Sequence, residues 1–155
     1  MMRARKPADP EALLKRMAGL CAKSEQCSFD ISTKLYRAGL PREKQEEIME
    51  YLIANRYVDD ARFARSFTNY KVRFAAWGRR KIRAALAAKR IPSSLVAAAL
   101  ESIDPEEYAA ALSRALAAAS AGLNPAVYDD RAKIYRRLLA RGFEPGLISN
   151  ALSES

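Results

Sequence analysis

The stretch Ile31-Ser32-Thr33-Lys34-Leu35-Tyr36-Arg37-Ala38-Gly39-Leu40-Pro41 decides the fold, because the chain writes its pattern three times. Ile82, Leu86, Arg90, Ile91 and Pro92 form a second copy, and Ile134, Leu138, Gly142, Phe143 and Pro145 a third. Isoleucine and leucine four residues apart lie on one apolar helix stripe. A glycine four residues further on suits the left-handed position that ends a helix, and the next apolar residue folds back onto the helix it has ended. Arg90 stands where the other copies have glycine. The repeat therefore predicts a left-handed arginine there, at a cost of about 1 kcal/mol. A second apolar pair follows each copy: Ile48/Leu52, Val96/Leu100 and Ile148/Leu152.

Outward from these copies the palette stays helical, with Ala, Leu, Arg, Lys and Glu dominant and no run of β-branched residues. Asp9-Pro10, Asp104-Pro105 and Asn124-Pro125 each read as an N-cap before a proline in the first helical turn. Asp59-Asp60 and Ser28-Phe29-Asp30 supply further caps. The pattern predicts helices near 10–23, 28–38, 43–55, 59–74, 79–89, 93–102, 105–120, 127–141 and 145–153. These assemble into an all-α chain of three tandem three-helix repeats, an elongated curved array. The expected boundaries are a basic tail at 1–8, repeat 1 at 9–56, a basic repeat 2 at 57–103 and repeat 3 at 104–155.

Composition excludes most chemistry. The 155 residues include no histidine, which removes the commonest general base and metal ligand. The six glycines never form G-x4-G-K-[ST], so no phosphate-cradling loop of that type exists. Asp59-Asp60 and Asp129-Asp130 are adjacent pairs that point apart on a helix, so capping explains them better than metal binding. Cys21 and Cys27 lack a second ligand pair and read as structural. No catalytic residue, metal or cofactor is expected. No apolar run approaches the roughly 20 residues of a membrane span, and no apolar segment follows the basic N-terminus as a secretory signal would require. A cytoplasmic chain with no membrane partner is expected.

The net charge is +9, and its placement is uneven. Residues 57–90 hold ten basic and two acidic groups, against 11 and 8 in residues 1–56 and 6 and 8 in residues 91–155. Solvated helix faces would spread the excess more evenly, so the middle segment reads as a surface for a polyanion or an acidic protein.

At this point the chain resembles a known family. Tyr57-Val58-Asp59-Asp60-Ala61-Arg62-Phe63-Ala64-Arg65-Ser66-Phe67 is similar to the Y-L-D/N-D-x-R-F-A signature of the RecX proteins, regulators of the bacterial RecA recombinase. Gly78-x3-Ile82-x3-Leu86-x2-Lys89-Arg90-Ile91 resembles the family's G-x3-I-x3-L-x2-K-G-I, with Arg90 replacing the usual glycine. Leu138-Leu139-Ala140-Arg141-Gly142-Phe143 is similar to L-x-R-G-F, and the loop from Ser120 to Ala126 is longer than the family needs. The resemblance implies a non-enzymatic cytoplasmic modulator that binds the RecA–DNA filament in homologous recombination, DNA repair and the SOS response. It also implies inhibition of strand exchange and of the filament's ATPase.

The residues themselves offer a surface for such binding. Arg62, Arg65 and Arg73 share one face of the 59–74 helix, while Phe63, Phe67, Tyr70 and Phe74 form a stripe assigned to the core. Arg79, Arg80, Lys81 and Arg83 crowd the start of the next helix, where positive charge opposes the macrodipole, and binding would explain the placement. Arg136, Arg137 and Arg141 form a smaller cluster for which a solvated face is an equal reading. The expected partner is the RecA–DNA filament, with single- or double-stranded DNA as a further partner of a monomer. The rival reading is an autonomous DNA-binding helical module, with arginines on phosphates and Tyr70, Phe74 or Trp77 stacking on bases.

Overall fold

Helix signals set by local pattern survive into three dimensions almost residue for residue. A computed structural model of the chain describes residues 8–154, so the expected 1–8 tail lies, apart from Ala8, outside the described residues. Among the described residues there are nine helices and no strand. They are α1 (Pro10–Lys23), α2 (Ser28–Arg37), α3 (Arg42–Ala54), α4 (Asp60–Ala75) and α5 (Arg79–Ala88), then α6 (Ser93–Glu101), α7 (Pro105–Ser120), α8 (Tyr128–Ala140) and α9 (Pro145–Ser153). Every expected boundary falls within one residue of these ends.

Caps explain the agreement. Asp9, Asp59 and Asp104 accept the backbone N–H of Glu11, Arg62 and Glu106 at 3.1, 3.0 and 3.3 Å. Helix α2 departs slightly from expectation, because its N-cap is the buried Cys27 thiol, which accepts the Asp30 N–H at 3.5 Å. The Asp60 carboxylate completes that end, taking the Ser28 N–H and O–H at 2.8 Å each. Asn124 is a correction: α8 starts only at Tyr128, and Asn124 instead closes a local turn by accepting the Ala126 N–H at 3.0 Å. An Asn-Pro pair begins a turn as readily as a helix, because the same side-chain acceptor serves both.

The terminators behave as the repeat predicts. Gly39, Arg90 and Gly142 have φ of 82°, 56° and 98°. Arg56 and Ala76, at 59° and 51°, add two left-handed ends that no glycine announces. At Arg56 the helix closes through Tyr57 N–H to Leu52 O at 2.8 Å and Arg56 N–H to Ile53 O at 3.1 Å.

The chain divides into two units. One runs to Phe63 and takes in Lys89–Ile91; within it α3 packs on α1 and α2 around Leu13, Met17, Ile31, Leu35, Leu40, Ile48, Leu52 and Val58. The other comprises Ala64–Ala88 and the chain from Pro92, with α5 on α6 and α8 on both α7 and α9. Ile82, Leu86, Ile134, Leu138, Phe143 and Ile148 are fully buried there.

The aromatic stripe on α4 is the main correction to the expected core. Phe63 is buried and Phe67 half-buried, but Tyr70 and Phe74 are 58% and 69% exposed. The positions sealed on this helix are Ala64, Thr68 and Val72, each 0% exposed. Small side chains let a helix dock closely, so the seam follows them and leaves the largest residues at its flank.

Candidate functional site

The crowded start of α5 is held by the far end of the chain. Gly78 and Arg80 donate their N–H groups at 2.9 Å to the carbonyls of Arg141 and Gly142, which close the C-terminus of α8. An N-terminus has unpaired donors and a C-terminus unpaired acceptors, so the two ends satisfy each other. The meeting also answers the electrostatic objection to this cluster, because the negative end of α8 favours nearby cations. It requires glycine on both sides: a Cβ on Gly78 would strike the backbone of Gly142 and Phe143, and one on Gly142 would strike Lys81.

Arg79 fastens the same joint. Its guanidinium lies 3.9 Å from the centre of the Tyr108 ring and 3.5 Å from Glu144, and its N–H reaches the Tyr108 hydroxyl at 3.0 Å. Tyr108 in turn donates to Glu144 Oε1 at 2.7 Å. Burial pushes the Tyr108 hydroxyl far above the ordinary tyrosine range, and its bond to Glu144 adds to the shift, against the opposing Arg79 N–H and charge. A half-exposed ion pair contributes under about 1 kcal/mol, so stacking and backbone bonds hold this joint more than charge does.

The expected contact residues therefore separate by what already holds them. Arg62 is drawn inward, 2.6 Å from Glu25 and bonded to the carbonyls of Arg56 and Tyr57 at 3.0 and 3.3 Å. Arg73 pairs with Glu107 at 2.6 Å while staying more than half exposed. Arg137 donates to Ala119 O at 2.8 Å near the end of α7. Arg80 and Arg83 are exposed, share one face of α5 at i, i+3, and have no carboxylate partner among the described residues. Arg80 and Lys81 line an open depression with Leu139, Ala140 and Gly142, which brings the α5 start and the Arg141 end of α8 together. Arg136 lies elsewhere, beside Tyr128, Arg131 and Tyr135 in a groove closed by Ser149 and Leu152. Arg65 is exposed on α4.

Reading the sequence alone missed one anchoring residue. Arg114, outside every basic cluster, donates to the carbonyls of Val72 and Arg73 at 3.1 and 2.8 Å and so caps the end of α4. Tyr70 and Phe74 stand as a tilted pair with ring centres 5.1 Å apart. Lys71 Nζ lies 4.5 Å from the Trp77 ring centre and 5.9 Å from that of Tyr70, and Lys81 Nζ lies 4.4 Å from Trp77.

No group of three His, Cys, Asp or Glu residues that could hold a metal occurs among the described residues. Burial raises the thiol pKa of both Cys21 and Cys27, which disfavours the reactive thiolate. No helix of the described residues is long and apolar enough to cross a membrane.

Comparison with known proteins finds relatives of this arrangement. The pattern of the second three-helix domain of RecX matches residues 59–100. The chain is 26% identical over 125 residues to a regulatory protein RecX of Chlorobium limicola (strain DSM 245 / NBRC 103803 / 6330), covering 81% of this chain and 77% of that one. It is 27% identical over 141 residues to a regulatory protein RecX of Lactobacillus johnsonii (strain CNCM I-12250 / La1 / NCC 533), covering 90% of this chain and 52% of the relative. A crystal structure of regulatory protein RecX superposes with a TM-score of 0.80 at 19% identity, covering 100% of this chain and 82% of that one. RecX from Lactobacillus salivarius also gives 0.80, at 17% identity, over 94% and 95% of the two chains. At these identities the superpositions establish the shared fold.

Proposed function

Because the chain matches the RecX family in its central domain, in curated relatives and in fold, we propose that it is a non-enzymatic regulator of a RecA-type recombinase. It acts in the cytoplasm as a monomer, binding the RecA–DNA filament and inhibiting its turnover. The observation that carries this reading is a coincidence of place. The RecX match at residues 59–100 falls on the segment that holds nearly all the excess positive charge. Within it Arg80 and Arg83 have no carboxylate partner among the described residues and stand on a helix fixed at its start, which suits them to an anionic filament surface.

The finer architecture in this proposal is three tandem three-helix repeats at 9–56, 57–103 and 104–155. The left-handed ends at Gly39, Arg90 and Gly142, at matching places in the three copies, support it. Arg65, Arg73, Lys81, Arg136 and Arg141 would add further contacts beyond Arg80 and Arg83, whereas Arg62, Arg79 and Arg137 serve chiefly to hold the protein's own helices. The test is RecA's turnover of ATP on single-stranded DNA with and without the purified protein. Concentration-dependent inhibition is expected, and unchanged turnover at saturating protein would overturn the proposal.

A further inference from the structure

We propose that Tyr70 and Phe74 form a platform on which unpaired bases of single-stranded DNA stack, a second contact beside the arginines of α5. The strand's identity as DNA rests on the filament reading above. The platform itself rests on four observations. First, the two rings are exposed, one turn apart on α4, with centres 5.1 Å apart and planes at 46°. Second, packing does not require them, because the sealed seam of α4 is Ala64, Thr68 and Val72.

Third, cations flank the pair on its own helix. At about 100° per residue, Arg73 lies on one side of the two rings and Lys71 on the other. Lys71 Nζ sits 5.9 Å from the Tyr70 ring centre. Fourth, no acidic residue occurs from Ala61 to Leu100, and Glu107, which reaches Arg73 at 2.6 Å from α7, leaves that side chain 56% exposed. A partner covering these rings must bring flat π-faces and negative charge together. A nucleic-acid strand carries both, with bases for the rings and phosphates for the cations. In a duplex the base faces are hidden in the stack, so the strand is single.

The experiment separates bases from phosphates. The full-length protein is titrated, at one salt concentration and without RecA, against labelled oligothymidylate and against an abasic strand of equal length. Base–aromatic stacking should favour oligothymidylate by about 5- to 150-fold per stacked base. Tyr70→Ala/Phe74→Ala should erase that preference while leaving affinity for the abasic strand and helix content by circular dichroism unchanged. Tyr70→Phe and Phe74→Tyr should retain it. Equal wild-type affinity for the two strands, no binding to either, or an equal loss on both strands in the double variant would each overturn the platform. If the strands bind alike and the double variant also loses inhibition of RecA turnover, the rings belong to a protein contact instead. None of these outcomes without RecA bears on the filament reading, which fails only in the turnover assay.

Discussion

The turns after α2 and after α8 share one backbone recipe and bear different loads. Both end a helix at a glycine in the left-handed region, Gly39 at φ 82° and Gly142 at φ 98°. Around Gly39 a side chain would meet nothing within 4 Å, and Tyr36 beside it is 74% exposed. Around Gly142 the chain is crowded by Lys81 and Gly78, and two backbone hydrogen bonds and the Tyr108–Glu144–Arg79 cluster fasten the turn to the start of α5. A glycine kept for its dihedral angle alone can be replaced at modest cost. One kept for close approach of two backbones cannot.

The largest expected effect follows from that contrast. Gly142→Ala should cost at least about 3 kcal/mol, because the added methyl meets the backbone and Cβ of Lys81 and neither can move independently of its helix. Urea unfolding would show it as a large fall in midpoint, and a loss below about 1 kcal/mol would mean that the joint yields easily.

Tyr108→Phe should come next, at about 1–3 kcal/mol, because it leaves the Arg79 backbone N–H without its acceptor and Glu144 Oε1 without the Tyr108 hydroxyl. This variant also has a pH signature. The folded protein holds the Tyr108 proton well above the value near 10 at which an unfolded tyrosine releases it. Its contribution is therefore fully present below about pH 10 and is lost as pH rises toward the higher folded value. Unfolding midpoints measured from pH 8 to pH 12 should fall less steeply in Tyr108→Phe than in the wild type, and parallel slopes would contradict the assignment.

The open turn and its arginine counterpart give the smallest effects. Gly39→Ala should cost about 1 kcal/mol, the left-handed penalty alone. Arg90→Gly removes a similar strain at φ 56° but also removes a guanidinium 5.1 Å from the Phe29 ring centre, a contact worth about 0.5–1 kcal/mol. The terms nearly cancel, so its midpoint should shift by no more than about 0.5 kcal/mol either way. In a Phe29→Leu background the same change should stabilise. A fall there would show that Arg90 is held by something other than Phe29.

Helix positions and the left-handed arginine were legible in the sequence because both depend on neighbours within a few residues. Capping aspartates and an apolar stripe are local signals, and so is a terminator whose place the repeat supplies. The fate of the arginines was not legible. Arg62 is drawn inward by Glu25, and Arg79 by Tyr108 and Glu144, partners distant in the chain that no local count of charge reveals. The face of α4 misled for a different reason: hydrophobicity favours its large rings for the core, whereas close packing selected Ala64, Thr68 and Val72. Arg80 and Arg83 remain from the predicted cluster as exposed cations on a well-anchored helix.

The most direct test of the central claim is the inhibition of RecA's ATP turnover on single-stranded DNA by Arg80→Glu/Arg83→Glu beside the wild type, with Arg79 left intact so that the α5 joint stays closed. If these arginines meet the filament, the variant should keep the wild-type circular dichroism and unfolding midpoint yet need at least about tenfold more protein for half-inhibition, the loss expected from reversing two charge-assisted contacts. Equal inhibition by the folded variant, or none by the wild type, would contradict the account.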